Sequence, residues 1–256
     1  MRLDHELVRR GLLPSRSAAK RAIVEGRVHV SGTGEPRPAT HVDETTMLQV
    51  DPEATRYVGR GGHKLAAALD ALDISIADRS AVDVGAATGG FTDCLLQRGA
   101  RTVVAVDVGS GQLHADLRAD ARVTSVEQTD VRALDLEAAG GPFDVVVVDV
   151  SFVSVRLLAH AVARCLGPRG DLIVLVKPQF ESGPDARTKR GVVTDPALRR
   201  RATRDVVAAF EEEGLAVMGS LESPVMGSAG NRESLVWFRR SEVAAPGIVG
   251  QDGRHG

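Results

Sequence analysis

Two charged residues in this 256-residue chain close apolar runs: Asp149 ends FDVVVVD and Lys177 ends DLIVLVK. A charge at a strand end is commonplace, because strand ends meet water. Two of opposite sign, on runs with the composition of a sheet interior, fit a pair facing the crevice where open α/β sheets hold ligands. A third charge stands at an unfavourable place. Lys64, in GRGGHKLAAALDAL, falls in the expected first turn of an alanine-rich helix, where the helix dipole favours an acid over a cation.

The segment AVDVGAATGGFTDCLL (81–96) reads as strand, glycine loop and helix. Gly85, Gly89 and Gly90 let the backbone turn tightly and approach a ligand closely. Such glycines also make tight turns that hold nothing. Asp107, however, ends the next apolar run about twenty residues beyond the loop, where an acid binds a ribose diol. Together they point to a nucleoside-containing cofactor, either NAD or S-adenosylmethionine. The dinucleotide fingerprint G-x-G-x-x-G requires a glycine where Ala87 stands, which speaks against NAD.

The elements that must position these residues follow from periodicity. From Ser80 onward, strand-length apolar runs at 80–84, 102–107, 123–127, 143–150 and 171–177 alternate with helical stretches. That pattern predicts a doubly wound α/β domain with a mostly parallel sheet, extended by segments at 215–222 and 235–240. Pro178 stops its strand sharply, and 182–196 reads as a loop before a helix. Residues 1–31 carry a net charge of +4 in a chain whose formal total is −2. Two short helices fit there, 4–10 ended by Gly11 and 15–25 capped by Ser15 and ended by Gly26, followed by strands in RVHVSG and TMLQVD. Arg2, Arg9, Arg10, Arg16, Lys20 and Arg27 could form a phosphate-binding face, or simply a solvated one. The expected organisation is a small α+β module over 1–55, a linker over 56–60, the α/β domain over 61–243 and a disordered tail over 244–256.

The stretch LDHELVRRGLLPSRSAAKRAIVEGRVHVSG resembles the S4-type RNA-binding domain. The D-x-G-x-x-x-G-G arrangement starting at Asp83 resembles motif I of S-adenosylmethionine-dependent methyltransferases. That resemblance implies that Asp83 serves the methionine amino group, directly or through water, with Ala86, Thr88 and Phe91 beside it. It adds Val108 and Gln112 after Asp107, and Asp130 with Val131 at the adenine, although Asp130 also fits a helix cap. Lys64, Asp149, Lys177 and Glu233 match, in order, the K-D-K-E tetrad of FtsJ-like RNA 2′-O-methyltransferases. YVGRGGHKL, DVGAATGGFTD, DVGSGQL, DVSF, LVKPQFE and GNRE occur in family order between about residues 2 and 240. The chain is therefore similar to the TlyA family of ribosomal RNA methyltransferases. The resemblance implies a Rossmann-like S-adenosylmethionine-dependent methyltransferase domain behind the S4-type module, acting on a cytidine 2′-hydroxyl in ribosomal RNA. A ribose hydroxyl is a poor nucleophile and must lose its proton as it attacks. By resemblance Lys177 is the base, Asp149 orients it, and Lys64 and Glu233 complete the network; Arg60, Lys189 and Arg190 are expected to meet RNA. The short lead into the first helix leans toward the large subunit.

Cys94 and Cys165 lie in helical stretches with neither a disulfide framework nor metal-ligand spacing, so buried thiols and no metal are expected. Eight aromatic residues are too few for an extended stacking platform, although Phe152 and Phe180 follow the charged strand ends closely enough to meet a flipped nucleotide. No 18-residue apolar run and no signal-peptide core occur, giving the expectation of a cytoplasmic monomer that works on ribosomal RNA and not on DNA or a membrane. The rival readings are a non-catalytic ribosome assembly factor and a membrane-active cytolysin.

Overall fold

The computed structural model describes residues 1–24, 27–31, 36–50, 56–183, 186, 188, 191–227 and 230–241. The chain folds as two compact units, 1–59 and 60–256. In the first, α1 (Leu3–Arg9) and α2 (Arg16–Val24) pack over the antiparallel pair β1 (Val28–Val30) and β2 (Leu48–Val50), with Val28 opposite Val50. Gly11 takes a left-handed φ of +68° just past α1, where a side chain would strain the turn. The Oγ of Ser15 accepts from the Ala18 amide at 3.2 Å and caps α2. The expected end of that helix at 25–26 lies outside the described residues. Leu3, Leu7, Ile23, Val28, Val30 and Val42 form the core of this unit.

The second unit opens with α3 (Arg60–Ala71), so Arg60 is already helical where a linker was expected. There follow β3 (Ser80–Val84), α4 (Gly90–Gln97), β4 (Thr102–Val106), α5 (Ala115–Ala119), β5 (Val123–Val126), β6 (Phe143–Val148), α6 (Ala159–Cys165) and β7 (Leu166–Val176). The chain continues through α7 (Pro178–Glu181), α8 (Pro196–Glu211), β8 (Leu215–Glu222) and β9 (Ser234–Arg240). The seven strands are ordered β5-β4-β3-β6-β7-β9-β8, and only β9 runs against its neighbours. The two late segments complete the sheet as expected, but the last strand inserts between β7 and β8 instead of adding at the edge.

Val145 to Val148 of β6 are all completely buried, which is why that run shows no alternation of apolar and polar residues. The chain builds β3, β4 and β5 outward in one direction and then returns to lay β6 on the other side of β3. That reversal leaves a crevice beyond the carboxyl ends of β3 and β6, the position at which doubly wound sheets hold ligands. At the opposite edge, buried Asp171 accepts from Arg79, Trp237 Nε1 and Arg239 and ties β7 to β9.

Candidate active site

The glycine loop leaves β3 through Gly85, whose φ is +87°. A Cβ there would sit 2.7 Å from the carbonyl oxygen of Asp149, so the loop and the end of β6 touch backbone to backbone. Gly89, at φ +94°, precedes α4 and lies so close to Leu117 that a Cβ would approach its Cδ1 to 2.3 Å. Asp107, just past β4, accepts from the Ala87 amide on one carboxylate oxygen (2.8 Å) and from the Gly109 amide on the other (2.7 Å). One acid thereby fixes the glycine loop and the turn after β4 together.

Between these turns lies a cavity of about 380 Å³ lined by Gly85, Asp107, Val108, Gln112, Asp130 and Val131, all expected cofactor residues. A smaller cavity of about 130 Å³ adjoins it, with Ala86, Thr88, Gly90 and Phe91 in its wall. Gly85, Ala87, Asp149 and Ser151 line both. Asp130 also caps the short helical turn 131–133 by accepting from the Arg132 amide, and it pairs with the Arg132 side chain, so its reading as a helix cap holds while it stands in the cavity wall.

Asp83 lines neither cavity. It is completely buried, and one oxygen accepts from the amide and hydroxyl of Thr92 at 2.9 and 2.7 Å. Its other oxygen has no partner among the described residues, and burial, helped by the charge on Asp149, pushes the carboxyl up to about 7 against the pull of Thr92. The cavity suits S-adenosylmethionine on these grounds: a glycine cradle that a Cβ would fill, an acid beside it for a diol, and a buried carboxyl oxygen left over behind the loop.

Asp149 and Lys177 do meet. Nζ of Lys177 lies 2.5 Å from Oδ1 of Asp149 and donates to the hydroxyl of Ser151 at 2.8 Å. Ser151 is absent from the residues expected for the site, although it stands in the quoted DVSF stretch. The second lysine is paired as well: Nζ of Lys64 lies 2.5 Å from Oε2 of Glu233, and both side chains are buried. The β7–β9 register, Val176 opposite Ser234, carried one residue further, sets Lys177 opposite Glu233 on one face. Gly61, one turn before Lys64 on α3, packs against the Phe91 ring and the Asp149 carboxylate, and a Cβ there would stand 3.4 Å from Oδ2. Residues three apart share a helix face, so Lys64 stands on the side of α3 that Gly61 turns toward Asp149. The reading of Lys64 as a cation stranded in the first turn is corrected. The helix starts at Arg60, Lys64 lies a turn inside it, and its charge answers a buried carboxylate instead of the dipole.

Loops support the site. Asn231, fully buried, accepts from the Val193 amide and donates to the Gly191 carbonyl, fastening the segment before α8 to the corner that carries Glu233. Arg60 donates to the Met226 carbonyl and so ties α3 to the same corner, a use that the sequence did not suggest.

In the N-terminal unit four arginines rest on buried acids. Arg2 and Arg16 pair with Asp4 (3.0 and 3.3 Å), and Arg9 and Arg10 with Glu6 (2.6 and 2.7 Å). Arg10 also donates to the carbonyls of Asp43, Glu44 and Thr46, which makes it more a brace than a free charge. Lys20 is exposed and Arg27 half-buried, while Lys189 and Arg190 lie outside the described residues.

Comparison with known proteins identifies the family. The FtsJ-like methyltransferase family matches residues 57–240 and the S4 domain family residues 1–44. The 16S/23S rRNA (cytidine-2'-O)-methyltransferase TlyA of Mycobacterium tuberculosis is 46% identical over 239 residues, 93% of this chain and 89% of that protein. Hemolysin A of Brachyspira hyodysenteriae is 35% identical over 93% of this chain and 99% of its own length. A solved structure from Streptococcus thermophilus that carries a hemolysin label superimposes with a TM-score of 0.74 at 37% identity, covering 94% of this chain and 89% of that one. With an S4 domain, an FtsJ-like domain and this degree of identity, the chain belongs to the TlyA family and is an S-adenosylmethionine-dependent methyltransferase.

Proposed function

We propose that the enzyme methylates the 2′-hydroxyl of a cytidine ribose in ribosomal RNA, with Lys64, Asp149, Lys177 and Glu233 acting as a K-D-K-E tetrad. The observation that carries this reading is the common wall of the two cavities: Asp149 faces both the nucleoside-type cavity and the pocket that holds Lys177. S-adenosylmethionine supplies a sulfonium methyl group when bound. In this reading Nζ of Lys177 would take the proton of the ribose hydroxyl as that oxygen is methylated. Asp149 and Ser151 hold Nζ in place, and the ammonium that forms stays 2.5 Å from a carboxylate. Lys64 and Glu233 fix the neighbouring strand and helix so that the hydroxyl meets a preset geometry, and positioning of this kind supplies a large part of such a rate enhancement. Phe152 is 92% exposed, takes a φ of +70°, lines the nucleoside-type cavity and lies against the Phe180 ring at 5.5 Å; we read it as a platform for the target base.

The test is methyl transfer to ribosomal subunits from a strain lacking the enzyme. Lys177→Ala and Asp149→Ala should each lose about a hundredfold or more in rate while binding S-adenosylmethionine within a few-fold of the parent protein. Near-parental turnover by either variant removes that residue from the tetrad. A deoxycytidine at the mapped position should be inert, since it lacks the acceptor oxygen. Mapping the methylated riboses in both subunits assigns the target and the nucleotide. We read the protein as a cytoplasmic monomer acting on RNA. The membrane-active alternative, suggested by the relative named Hemolysin A, would need a spanning element, and no helix among the described residues is long and apolar enough to cross a membrane. Dye leakage from liposomes by pure protein without S-adenosylmethionine would favour that alternative.

A further inference from the structure

An open groove of about 800 Å³ runs between α8 and β8 in the methyltransferase unit, and the proposed tetrad does not use it. Its location follows from topology. Strands β7 and β8 run in the same direction and end at the edge where Lys177 stands, and α8 and β9 both begin there. Val176, Pro178 and Ser234, the chain neighbours of Lys177 and Glu233, line the groove. Side chains alternate across a strand, so the groove lies on the face opposite the tetrad and opens at the same edge.

The walls carry four arginines, Arg199, Arg200, Arg204 and Arg232, against two acids. Two of the arginines are committed. Arg232 pairs with Glu222 at 2.5 Å, and Arg199 donates to the carbonyls of Val193 and Thr194. Arg200 and Arg204 are exposed and, among the described residues, have neither an ion pair nor a hydrogen bond. They stand four residues apart on one helix face, a like-charge spacing that weakens a helix. The other acid, Glu211, lies about two turns beyond Arg204 at the far end of α8. Arg201, turned away from the groove, does have an acid at that spacing, Asp205 at 3.6 Å. Among the described residues no aromatic side chain lines the groove, so it offers forked cations without a stacking surface, which is the chemistry of phosphate recognition.

We propose that this groove holds the sugar–phosphate backbone of the RNA strand flanking the methylated nucleotide, Arg200 and Arg204 each taking a phosphate. The proposal rests on the RNA-methylation reading and extends it, because it gives the catalytic unit an RNA contact of its own. It is tested in the full chain with Arg200→Glu/Arg204→Glu and the charge-preserving Arg200→Lys/Arg204→Lys. Binding to unmethylated ribosomal subunits and to a short mixed-sequence single-stranded RNA is followed across a KCl series, with calorimetry of S-adenosylmethionine binding as the check on folding. The glutamate pair should flatten the slope of log K against log[KCl] by about two, one per phosphate contact. It should also raise KM for subunits about tenfold, leave kcat within about twofold and leave cofactor affinity unchanged, whereas the lysine pair keeps most of the slope. If the glutamate pair loses cofactor binding, Arg200→Gln/Arg204→Gln carries the same expectation in weaker form. A parental slope and KM in the neutral or acidic pair overturns the proposal. Protein that binds RNA through these arginines yet transfers no methyl group to it keeps the groove and refutes the methylation reading. Normal methylation with a parental KM in the glutamate pair does the reverse.

Discussion

Lys64 and Glu233 are only 6% and 2% exposed, so their ion pair is shielded from water. Removing one partner leaves the other buried and uncompensated, which costs about 3–5 kcal/mol, whereas removing both costs far less. Lys64→Met should therefore lower the urea midpoint of the methyltransferase unit markedly, and Lys64→Met/Glu233→Gln should recover most of the loss. Fluorescence of Trp237, the sole tryptophan, reports the transition from β9, the strand that follows Glu233. A parental midpoint in Lys64→Met would show that the pair holds nothing together. At this scale the sequence is uneven evidence. Asp149 and Lys177 were visible because each interrupts an apolar run at its end. Ser151 was not, because an exposed serine three residues past a strand carries no periodic signal, and only the 2.8 Å contact with Nζ gives it a role. The mutual pairing of Lys64 and Glu233, 169 positions apart, likewise arises from strand register and not from local pattern.

At the scale of elements, the contact of the glycine loop with the end of β6 holds the cavity in shape. Gly85→Ala must carry a left-handed φ, which costs about 1–2 kcal/mol for an L-residue, and it drives a methyl group against the backbone at Asp149, which has no flexible side chain to yield. The variant should lose stability beyond the φ cost and bind S-adenosylmethionine at least about tenfold more weakly, since a displacement of 1.4 kcal/mol already gives that factor. Calorimetric titration and thermal unfolding check both halves, and parental binding would mean that the loop tolerates a side chain. Most element boundaries were legible: β3 spans the expected 80–84, and β6 fails only by its last two residues, which turn out to be site residues. Strand β7 begins at Leu166, ahead of the expected 171, because Leu166 pairs with Phe143 and the register then shifts before Asp171 meets Val145, with no apolar pattern in LGPRG to announce it. The insertion of β9 between β7 and β8 was not legible, since hydropathy marks a strand but not its neighbours.

At the scale of the whole molecule, the two units respond to acid through different groups. The N-terminal module reads from composition as a basic face, yet Arg2, Arg9, Arg10 and Arg16 are held by Asp4 and Glu6, both completely or almost completely buried. Composition counts those acids against the charge but cannot show that they lie underneath it. The guanidinium of Arg2, and then that of Arg16, holds the Asp4 carboxyl down to about 2, and Arg9 with Arg10 holds Glu6 down to about 2 against the opposing effect of burial. Unfolded, these carboxyls return to their ordinary 3.8 and 4.5. The unfolded chain therefore takes up protons first, so the stability these acids supply is complete above that range and is lost as the pH falls through it toward about 2. Amide NMR signals of residues 3–24 should accordingly collapse over that window. Asp4→Asn/Glu6→Gln should start from a lower stability at neutral pH but lose little more on acidification, because the groups that titrate are gone. Asp83 in the methyltransferase unit has the opposite sign: its carboxyl is raised to about 7 when folded, so acid relieves that buried charge instead of creating a loss. A double variant that titrates as the parent does would place the acid sensitivity of the N-terminal unit elsewhere, and with it the reason its arginines are held where they are.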